Sequence, residues 1–249
     1  MRWLCCAAAL VLAASPARAA GELFLDWNEC PLDLSAVHNR DNPCTANISS
    51  QTLVASFQAP AAVDSVLGVD LVLDLQSAAP SLPSWWNLLP ASPDSCRFGA
   101  LTASLDFTLN TSCQDFWLNQ GSAVVQAVYV GLPRGAASQA RILASGTVPV
   151  ESGYRTLVSG PTYYGMKLQI SNARTVDPNG CPGCLTPVCL VLNSIAIRRQ
   201  PGAIGGDVLV DTPGPGNANW ATWQQGTGAD CNAVPVRRVT WGRIQSLFR

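Results

Sequence analysis

The chain has 249 residues, of which 12% are charged and 48% are hydrophobic, with a formal net charge of −1. Proteins that bind nucleic acids or anionic membranes through charge carry an excess of basic residues, and this chain has no such excess. The hydrophobic fraction is ample for a large buried core, and the length allows one large domain or two small ones.

The first residues have the pattern of a secretory signal. Arg2 is a minimal positive region, residues 4–14 form an apolar run, and residues 17–19 (Ala-Arg-Ala) fit a signal-peptide cleavage site. A run of this length covers about half of the ~20 residues that cross a bilayer. We therefore expect cleavage of residues 1–19 and no retained membrane span.

Alternating apolar and polar residues predict strands along most of the remaining chain. The clearest signal lies in residues 63–75, where Leu71 and Leu73 alternate with Asp70 and Asp74. We predict strands at residues 23–27, 52–58, 63–75, 97–110, 123–130, 141–150, 163–171, 188–197 and 207–211.

Helical signals are few. A single helical turn is expected after Pro83, and Thr240 caps a short C-terminal helix with an apolar stripe. Many short strands with little helix predict an all-β fold, an antiparallel two-sheet β-sandwich resembling a jelly roll. We expect one domain over residues 20–249.

Residues 188–197 are apolar on both alternations, which is typical of a strand buried on both faces. We expect this strand to lie in the interior of a sheet. Leu190 and Leu192 should occupy one apolar layer, and Val191 and Ile195 the other.

Eight cysteines follow the predicted signal, and an even number in an exported chain predicts a disulfide framework. Roughly a hundred pairings are possible, so spacing alone does not fix them. Closeness along the chain favours Cys30–Cys44, Cys96–Cys113, Cys181–Cys184 and Cys189–Cys231.

Three segments carry a resemblance to known sequences. They are C-P-G-C-L-T-P-V-C-L-V-L-N at residues 181–193, L-P-S-W-W at 82–86 with Cys96-Arg97 after it, and T-W-G-R-I-Q-S-L-F-R at 240–249. Over most of the mature chain the sequence resembles uncharacterised secreted proteins of environmental bacteria. The resemblance implies a bacterial, exported origin, and it assigns no activity and no site residues.

The cysteines at 181, 184, 189 and 231 also suit a four-thiolate zinc site, and Cys181-Pro-Gly-Cys184 suits a redox-active pair. We favour disulfides, because the chain is exported and the Cys-x-x-Cys motif leads into a strand rather than a helix. No metal ligand and no catalytic residue is assigned.

His38 is the one histidine, so any Ser-His-Asp or Cys-His site must use it. Its polar neighbours favour a solvated loop.

Two carboxylate pairs, Asp70 with Asp74 and Asp207 with Asp211, each share a strand face. Residues four apart on a strand lie ~13 Å from each other, too far for a retaining glycosidase. We expect these side chains to face solvent. A structural calcium bound by them, or by Asp177 with Asn179, is the one cofactor left open.

Aromatic residues fall in or beside predicted loops. Such rings can stack on sugars and form a carbohydrate-binding module, or they can close the ends of the sheets and fill the core. The candidate ligand-binding residues are Trp85, Trp86, Tyr163, Tyr164, Trp220 and Trp223.

The leading hypothesis is therefore an exported, non-enzymatic β-sandwich protein with a structural or binding role at the cell surface, in the periplasm or outside the cell. A carbohydrate-binding module is the first alternative, and a secreted hydrolase with an unidentified carboxylate pair is the second. The partner is left unassigned, with a glycan and another surface protein as the two candidates.

Overall fold

The computed structural model describes residues 21–88, 95–176 and 178–231. The predicted signal peptide and C-terminal helix lie outside these residues. In the described part, regular structure consists of strands and three short 3-10 turns, at Ser84–Trp86, Val150–Ser152 and Gln224–Gly226. The strands are β1 (Glu22–Trp27), β2 (Asn39–Arg40), β3 (Ser50–Gln58), β4 (Val63–Ser77), β5 (Leu101–Ser104), β6 (Ser122–Val130), β7 (Gln139–Thr147), β8 (Arg155–Leu157), β9 (Thr162–Ser171), β10 (Val188–Arg199), β11 (Val208–Val210), β12 (Thr212–Pro213) and β13 (Trp220–Trp223).

These strands form two sheets. The smaller sheet has the order β12-β1-β3-β9-β5, and the larger has the order β2-β13-β10-β4-β7-β6, with β11 beside β10 and β8 beside β4. Strand pairs are antiparallel except β1–β12 and β13–β2, which are parallel and involve two-residue strands. The all-β, two-sheet fold is confirmed, and it is mixed rather than purely antiparallel.

The core lies between the inner faces of the two sheets. Side chains with a period of two along each strand belong to one continuous apolar cluster, for example Leu25 of β1, Leu73 of β4 and Leu192 of β10. This alternation explains why the longer strands were predictable, since one face of each is apolar.

The strand β10 lies in the interior of its sheet, as predicted. It pairs with β4 on one side and with β13 and β11 on the other. A bulge between Leu192 and Ser194 changes the alternation, so Ile195 joins Leu192 in the main core. The prediction that Ile195 shares a layer with Val191 is therefore wrong, because Val191 packs on the opposite face with Cys189.

The expectation that the paired aspartates face solvent is also wrong for β4. Asp74 is 0% exposed and accepts two hydrogen bonds from Arg141 of β7, both 2.6 Å long. Asn193 donates a third bond of 2.6 Å. Burial raises the pKa of Asp74, and the bonds from Arg141 and Asn193 oppose that rise. Asp70 is likewise paired, with Arg198.

Candidate functional site

The Cys-Pro-Gly-Cys loop before β10 is held by disulfides to two distant segments. Cys181 is bonded to Cys96, and Cys184 is bonded to Cys44. The other two bridges are Cys30–Cys113 and Cys189–Cys231. The disulfide framework is confirmed, but Cys189–Cys231 is the one preferred pairing that was right.

The three local pairings were wrong because antiparallel strands bring together loops that are far apart in the sequence. The bridges at Cys30, Cys44 and Cys96 join cysteines separated by 83, 140 and 85 residues. Cys181 and Cys184 are bonded to different segments rather than to each other. They therefore form neither a Cys-x-x-Cys redox pair nor part of a four-thiolate zinc site.

A surface cleft of about 580 Å³ lies along this loop. Its lining is formed by apolar residues, the bridged cysteines Cys44, Cys181 and Cys184, and two threonines, Thr175 and Thr186. The Thr175 hydroxyl already accepts a bond from the indole of Trp85 (3.0 Å) and donates one to the carbonyl of Asn172 (2.6 Å). The lining residues are Cys44, Ala78, Ala79, Thr175 and residues 181–187.

No Asp, Glu, Lys, Arg or His is among those lining residues. General acid–base catalysis needs a titratable side chain within hydrogen-bond reach of the substrate. Among the described residues, the lining of this cleft therefore offers no side chain for general acid–base catalysis.

The aromatic residues proposed as a sugar platform lie mostly in the core. Trp85, Trp86 and Trp223 are fully buried, and Trp85 stacks on Trp223 with ring centroids 5.1 Å apart. Two of the three indole N–H groups are used within the fold, since Trp223 donates to the Cys184 carbonyl at 2.6 Å and Trp85 donates to the Thr175 hydroxyl at 3.0 Å. The indole nitrogen of Trp86 is buried without a partner among the described residues. A buried ring offers no face to a sugar, so this expectation is corrected.

A buried arginine packs against the tryptophan cluster, a role that the sequence analysis did not predict. Arg97 is buried, with its guanidinium carbon 4.1 Å from the centre of the Trp85 ring. It donates hydrogen bonds to the carbonyl oxygens of Ser171 and Ala173. Burial lowers the pKa of Arg97 to about 10. These contacts fix the segment that contains Cys96 beside Trp85, next to the Cys96–Cys181 bridge.

Tyr163 and Tyr164 are also buried and have structural contacts. The Tyr164 hydroxyl donates to Glu29 at 2.7 Å and accepts from the backbone N–H of Ser112 at 2.9 Å. Burial, followed by the bond to Glu29, raises the pKa of Tyr164 to about 12. Glu29 also accepts from the backbone N–H of Cys30, so this network stabilises the segments on both sides of the Cys30–Cys113 bridge.

Replacement of Tyr164 by phenylalanine tests that network. We expect Tyr164→Phe to lower the free energy of unfolding by about 1–2 kcal/mol, because it leaves buried Glu29 and the Ser112 amide each short of a partner. Tyr129→Phe is the matched control, since Tyr129 only flanks the small cluster of Val72 and Leu143. Urea unfolding measures both, and equal midpoints for the two variants would contradict the network.

Trp220 is the one partly exposed member of the aromatic set, and it contacts the single histidine. The His38 ring stacks on Trp220 with centroids 5.3 Å apart. His38 Nδ1 lies 3.3 Å from a carboxylate oxygen of Asp26 and 3.1 Å from the Trp220 carbonyl oxygen. The histidine is partly exposed, as expected, but it is paired rather than freely solvated.

The His38–Asp26 pair resembles two members of a catalytic triad, in which a carboxylate orients an imidazole. Nucleophilic catalysis requires a hydroxyl or thiol beside the imidazole as well. The described contacts of the His38 ring are the Asp26 carboxylate, the Trp220 carbonyl and the Trp220 ring. Within these described contacts, no hydroxyl or thiol lies beside the His38 imidazole to act as a nucleophile.

Burial raises the pKa of Asp26 to about 6, and the nearby His38 opposes that rise. Since the folded pKa exceeds the ordinary value of 3.8, the folded state binds this proton more tightly than the unfolded state. The resulting stabilisation is complete below about pH 4 and is lost as the pH rises through about 6.

Asp26→Asn removes the charge that burial disfavours. We expect this variant to exceed the wild-type free energy of unfolding by about 2 kcal/mol above pH 7, and to lose most of that advantage at pH 4. Asp41→Asn, at an exposed position in the following segment, is the control. Urea unfolding between pH 4 and pH 8 tests the expectation, and a difference that does not change with pH would overturn it.

The described residues offer no site for the structural calcium considered above. Asp177 lies outside the described residues, and Asp70, Asp74 and Asp207 are occupied by arginine partners. Within residues 21–88, 95–176 and 178–231, no group of three or more His, Cys, Asp or Glu side chains is placed to hold a metal ion. No helix of the described chain is long and apolar enough to span a membrane.

Comparison with known proteins leaves the family open. No family model matches the chain, and no curated protein matches it. A solved structure that resembles it is a cohesin module of a family 33 glycoside hydrolase from Clostridium perfringens. That likeness has a TM-score of 0.34 and 7% identity, over 82% of this chain and 93% of the other. A likeness at this level carries no argument about what the chain binds.

Proposed function

We propose that this chain is an exported bacterial β-sandwich protein without enzymatic activity, with a structural or binding role at the cell surface, in the periplasm or outside the cell. The observation that supports this most strongly is the set of four disulfides. Such bridges form and persist in oxidising compartments, whereas cytosolic thiols are kept reduced.

The buried ionisable groups are bonded within the fold, which supports a structural or binding role. Asp74 is paired with Arg141, Glu29 is bonded to Tyr164, and Arg97 donates to backbone carbonyls. Each of these groups is bonded to another part of the fold. The cleft along the Cys-Pro-Gly-Cys loop offers a bridged, mostly apolar surface instead.

Export is tested by producing the chain in a bacterial host with and without residues 1–19. The full chain should be recovered outside the cytoplasm, with a mature terminus near residue 20 and no thiol that reacts with a maleimide. The shortened chain should accumulate in the cytoplasm with reactive thiols and without native circular dichroism. A shortened chain that is fully reduced and natively folded would contradict the proposal.

A glycan array separates this role from carbohydrate binding. Because Trp85, Trp86, Tyr163, Tyr164 and Trp223 are buried, we expect no glycan to bind selectively. Trp220→Ala is the control for the partly exposed ring. Selective glycan binding that Trp220→Ala abolishes would instead support the carbohydrate-binding module.

A further inference from the structure

The outer face of the larger sheet is buried at its centre. A row of directly paired residues crosses this face from β13 through β10, β4 and β7 to β6, namely Trp220, Val191, Asp74, Arg141 and Tyr129. Val191 is 4% exposed, Asp74 is 0% exposed and Arg141 is 8% exposed. The face of an antiparallel sheet that points away from the core is ordinarily in water. An outer face as dry as this one therefore needs a cover.

The adjacent row on the same face gives the same result. Val72 of β4 and Leu143 of β7 lie opposite each other and are 6% and 4% exposed. Among the described residues, the partly buried apolar residue packed against them is Tyr129. A buried core residue typically touches about 6–12 others, so one ring beside two aliphatic side chains accounts for only part of their burial.

The charged pair in this face calls for an apolar cover. One carboxylate oxygen of Asp74 accepts a bond from Arg141, and the other accepts bonds from Arg141 and Asn193. A buried charge has to be paired and hydrogen-bonded within the protein. Because the sheet itself supplies the partners of Asp74, the cover needs no charged group above that carboxylate and can be apolar.

The described chain reaches its last residue on this face. Cys231 is bonded to Cys189, and the two cysteines pack with Val191, Trp220 and Ala229 in one apolar cluster. The eighteen residues 232–249 therefore continue from a point that is fixed beside the buried rows. Residues 1–20 instead precede β1 of the smaller sheet.

The sequence of residues 232–249 suits this face. In the helix predicted after Thr240, Trp241, Ile244, Leu247 and Phe248 form one apolar stripe. A ten-residue helix is about 15 Å long, and the three strand spacings from β10 to β6 add up to about 14 Å. The eight residues between Cys231 and Thr240 can span up to about 26 Å, so the helix can reach the face from the bridge.

We propose that residues 240–249 dock as an amphipathic helix on the outer face of the larger sheet, with the apolar stripe over Val72, Leu143 and Val191. The chain's own C-terminal segment is the occupant because the Cys189–Cys231 bridge fixes its start beside this face. A segment tethered in this way has an effective concentration of about millimolar, which a separate partner would have to exceed. The proposal rests on the bridge and does not depend on the proposed export.

The first test is nuclear magnetic resonance of the oxidised protein with labelled methyl groups. We expect nuclear Overhauser contacts from the methyl groups of Val72 and Leu143 to the rings of Trp241 or Phe248. A sample that mixes labelled and unlabelled chains detects contacts between copies separately, and we expect none there. The methyl groups of Leu192, on the core face, should show no contact with residues 240–249.

The second test compares Ile244→Lys with Ser246→Lys. Ile244 lies in the apolar stripe and Ser246 lies on the opposite side of the same predicted helix, so the two variants add the same charge to the same segment. In Ile244→Lys the amides of residues 241–249 should exchange with solvent at least about tenfold faster, and in Ser246→Lys less than about twofold faster. Unchanged Leu192 methyl signals show that both variants are folded.

The proposal is overturned if the methyl groups of Val72 and Leu143 make no contact with residues 240–249, since a different group then covers the face. Contacts found only between labelled and unlabelled chains would also overturn it, because the occupant would be a second copy. Equal effects of Ile244→Lys and Ser246→Lys on exchange would show that the apolar stripe does not hold the segment.

Discussion

Removal of the Cys44–Cys184 disulfide, by Cys44→Ala with Cys184→Ala, should lower the free energy of unfolding by about 4 kcal/mol. This bridge joins residues 140 apart, but the intact Cys30–Cys113 and Cys96–Cys181 bridges already connect its two ends through about 34 residues of chain, and that shorter loop sets the estimate. Since typical domains are stable by roughly 5–15 kcal/mol, the variant should be close to its unfolding threshold. Urea unfolding under oxidising conditions measures the loss.

The matched control is the pair Cys189→Ala with Cys231→Ala. That bridge joins residues 42 apart, and its loss should cost about 4 kcal/mol by the same loop-closure reasoning. The two variants should therefore unfold at similar urea concentrations, both below that of wild type. A Cys44–Cys184 variant that unfolds at the wild-type concentration would show that this bridge is not formed as described.

The second large effect is expected at Leu192, in the middle of β10. Leu192→Asp places a charge without a partner in the core between the two sheets, where the side chain of Leu192 is fully buried. A charge of this kind costs several kcal/mol. Val191→Asp should also be destabilising, because Val191 is buried on the opposite face against Trp220 and Cys231.

Leu209→Asp provides the control, because Leu209 lies on the adjacent strand β11 and is 42% exposed. It should change the free energy of unfolding by no more than about 0.5 kcal/mol. Equal urea midpoints for Leu192→Asp and wild type would mean that β10 is not an interior strand, and the architecture built around it would be wrong.

The local pattern of the sequence predicted the long strands well. β4 and β9 carry apolar residues with a period of two, and β10 begins with a run that is apolar on both alternations. Both patterns are properties of each segment alone. The segment of β13 was predicted to be a loop, because its Gly, Asn and Pro neighbours suggest turns. Trp220 and Trp223 pair there with β10, so a tertiary contact outweighed the local signal.

Features that depend on strand order could not be predicted. Asp74 and Arg141 are 67 residues apart, and they meet because β4 and β7 pair with these two residues opposite each other. The same reasoning applies to the disulfides, whose partners lie in loops that the fold brings together. The bulge after Leu192 moved Ile195 to the other face. The alternation did not reveal this shift, because residues 188–192 are apolar at every position.

The candidate site was also only partly predictable from the sequence. Of the aromatic set, Trp85 and Trp86 lie in a connecting segment as predicted, whereas the two tyrosines lie in β9 and the other two tryptophans in β13. Their burial depends on what covers them, which the local sequence does not show. Trp85 follows Pro83 in a short 3-10 turn that lies under the Cys-Pro-Gly-Cys loop, where its backbone N–H donates to the carbonyl of Pro182. The pairing of His38 with Asp26 joins β1 to the segment before β2, and no spacing rule connects those residues.

The most direct test of the disulfide-stabilised sandwich and of its proposed export is disulfide mapping, by peptide mass spectrometry without reduction, of the protein recovered outside the cytoplasm. The fold predicts four cross-linked peptides, which join Cys30 to Cys113, Cys44 to Cys184, Cys96 to Cys181 and Cys189 to Cys231. A Cys181–Cys184 bridge, or free thiols at these positions in the exported protein, would contradict both the arrangement of the two sheets and the oxidising compartment proposed for the chain.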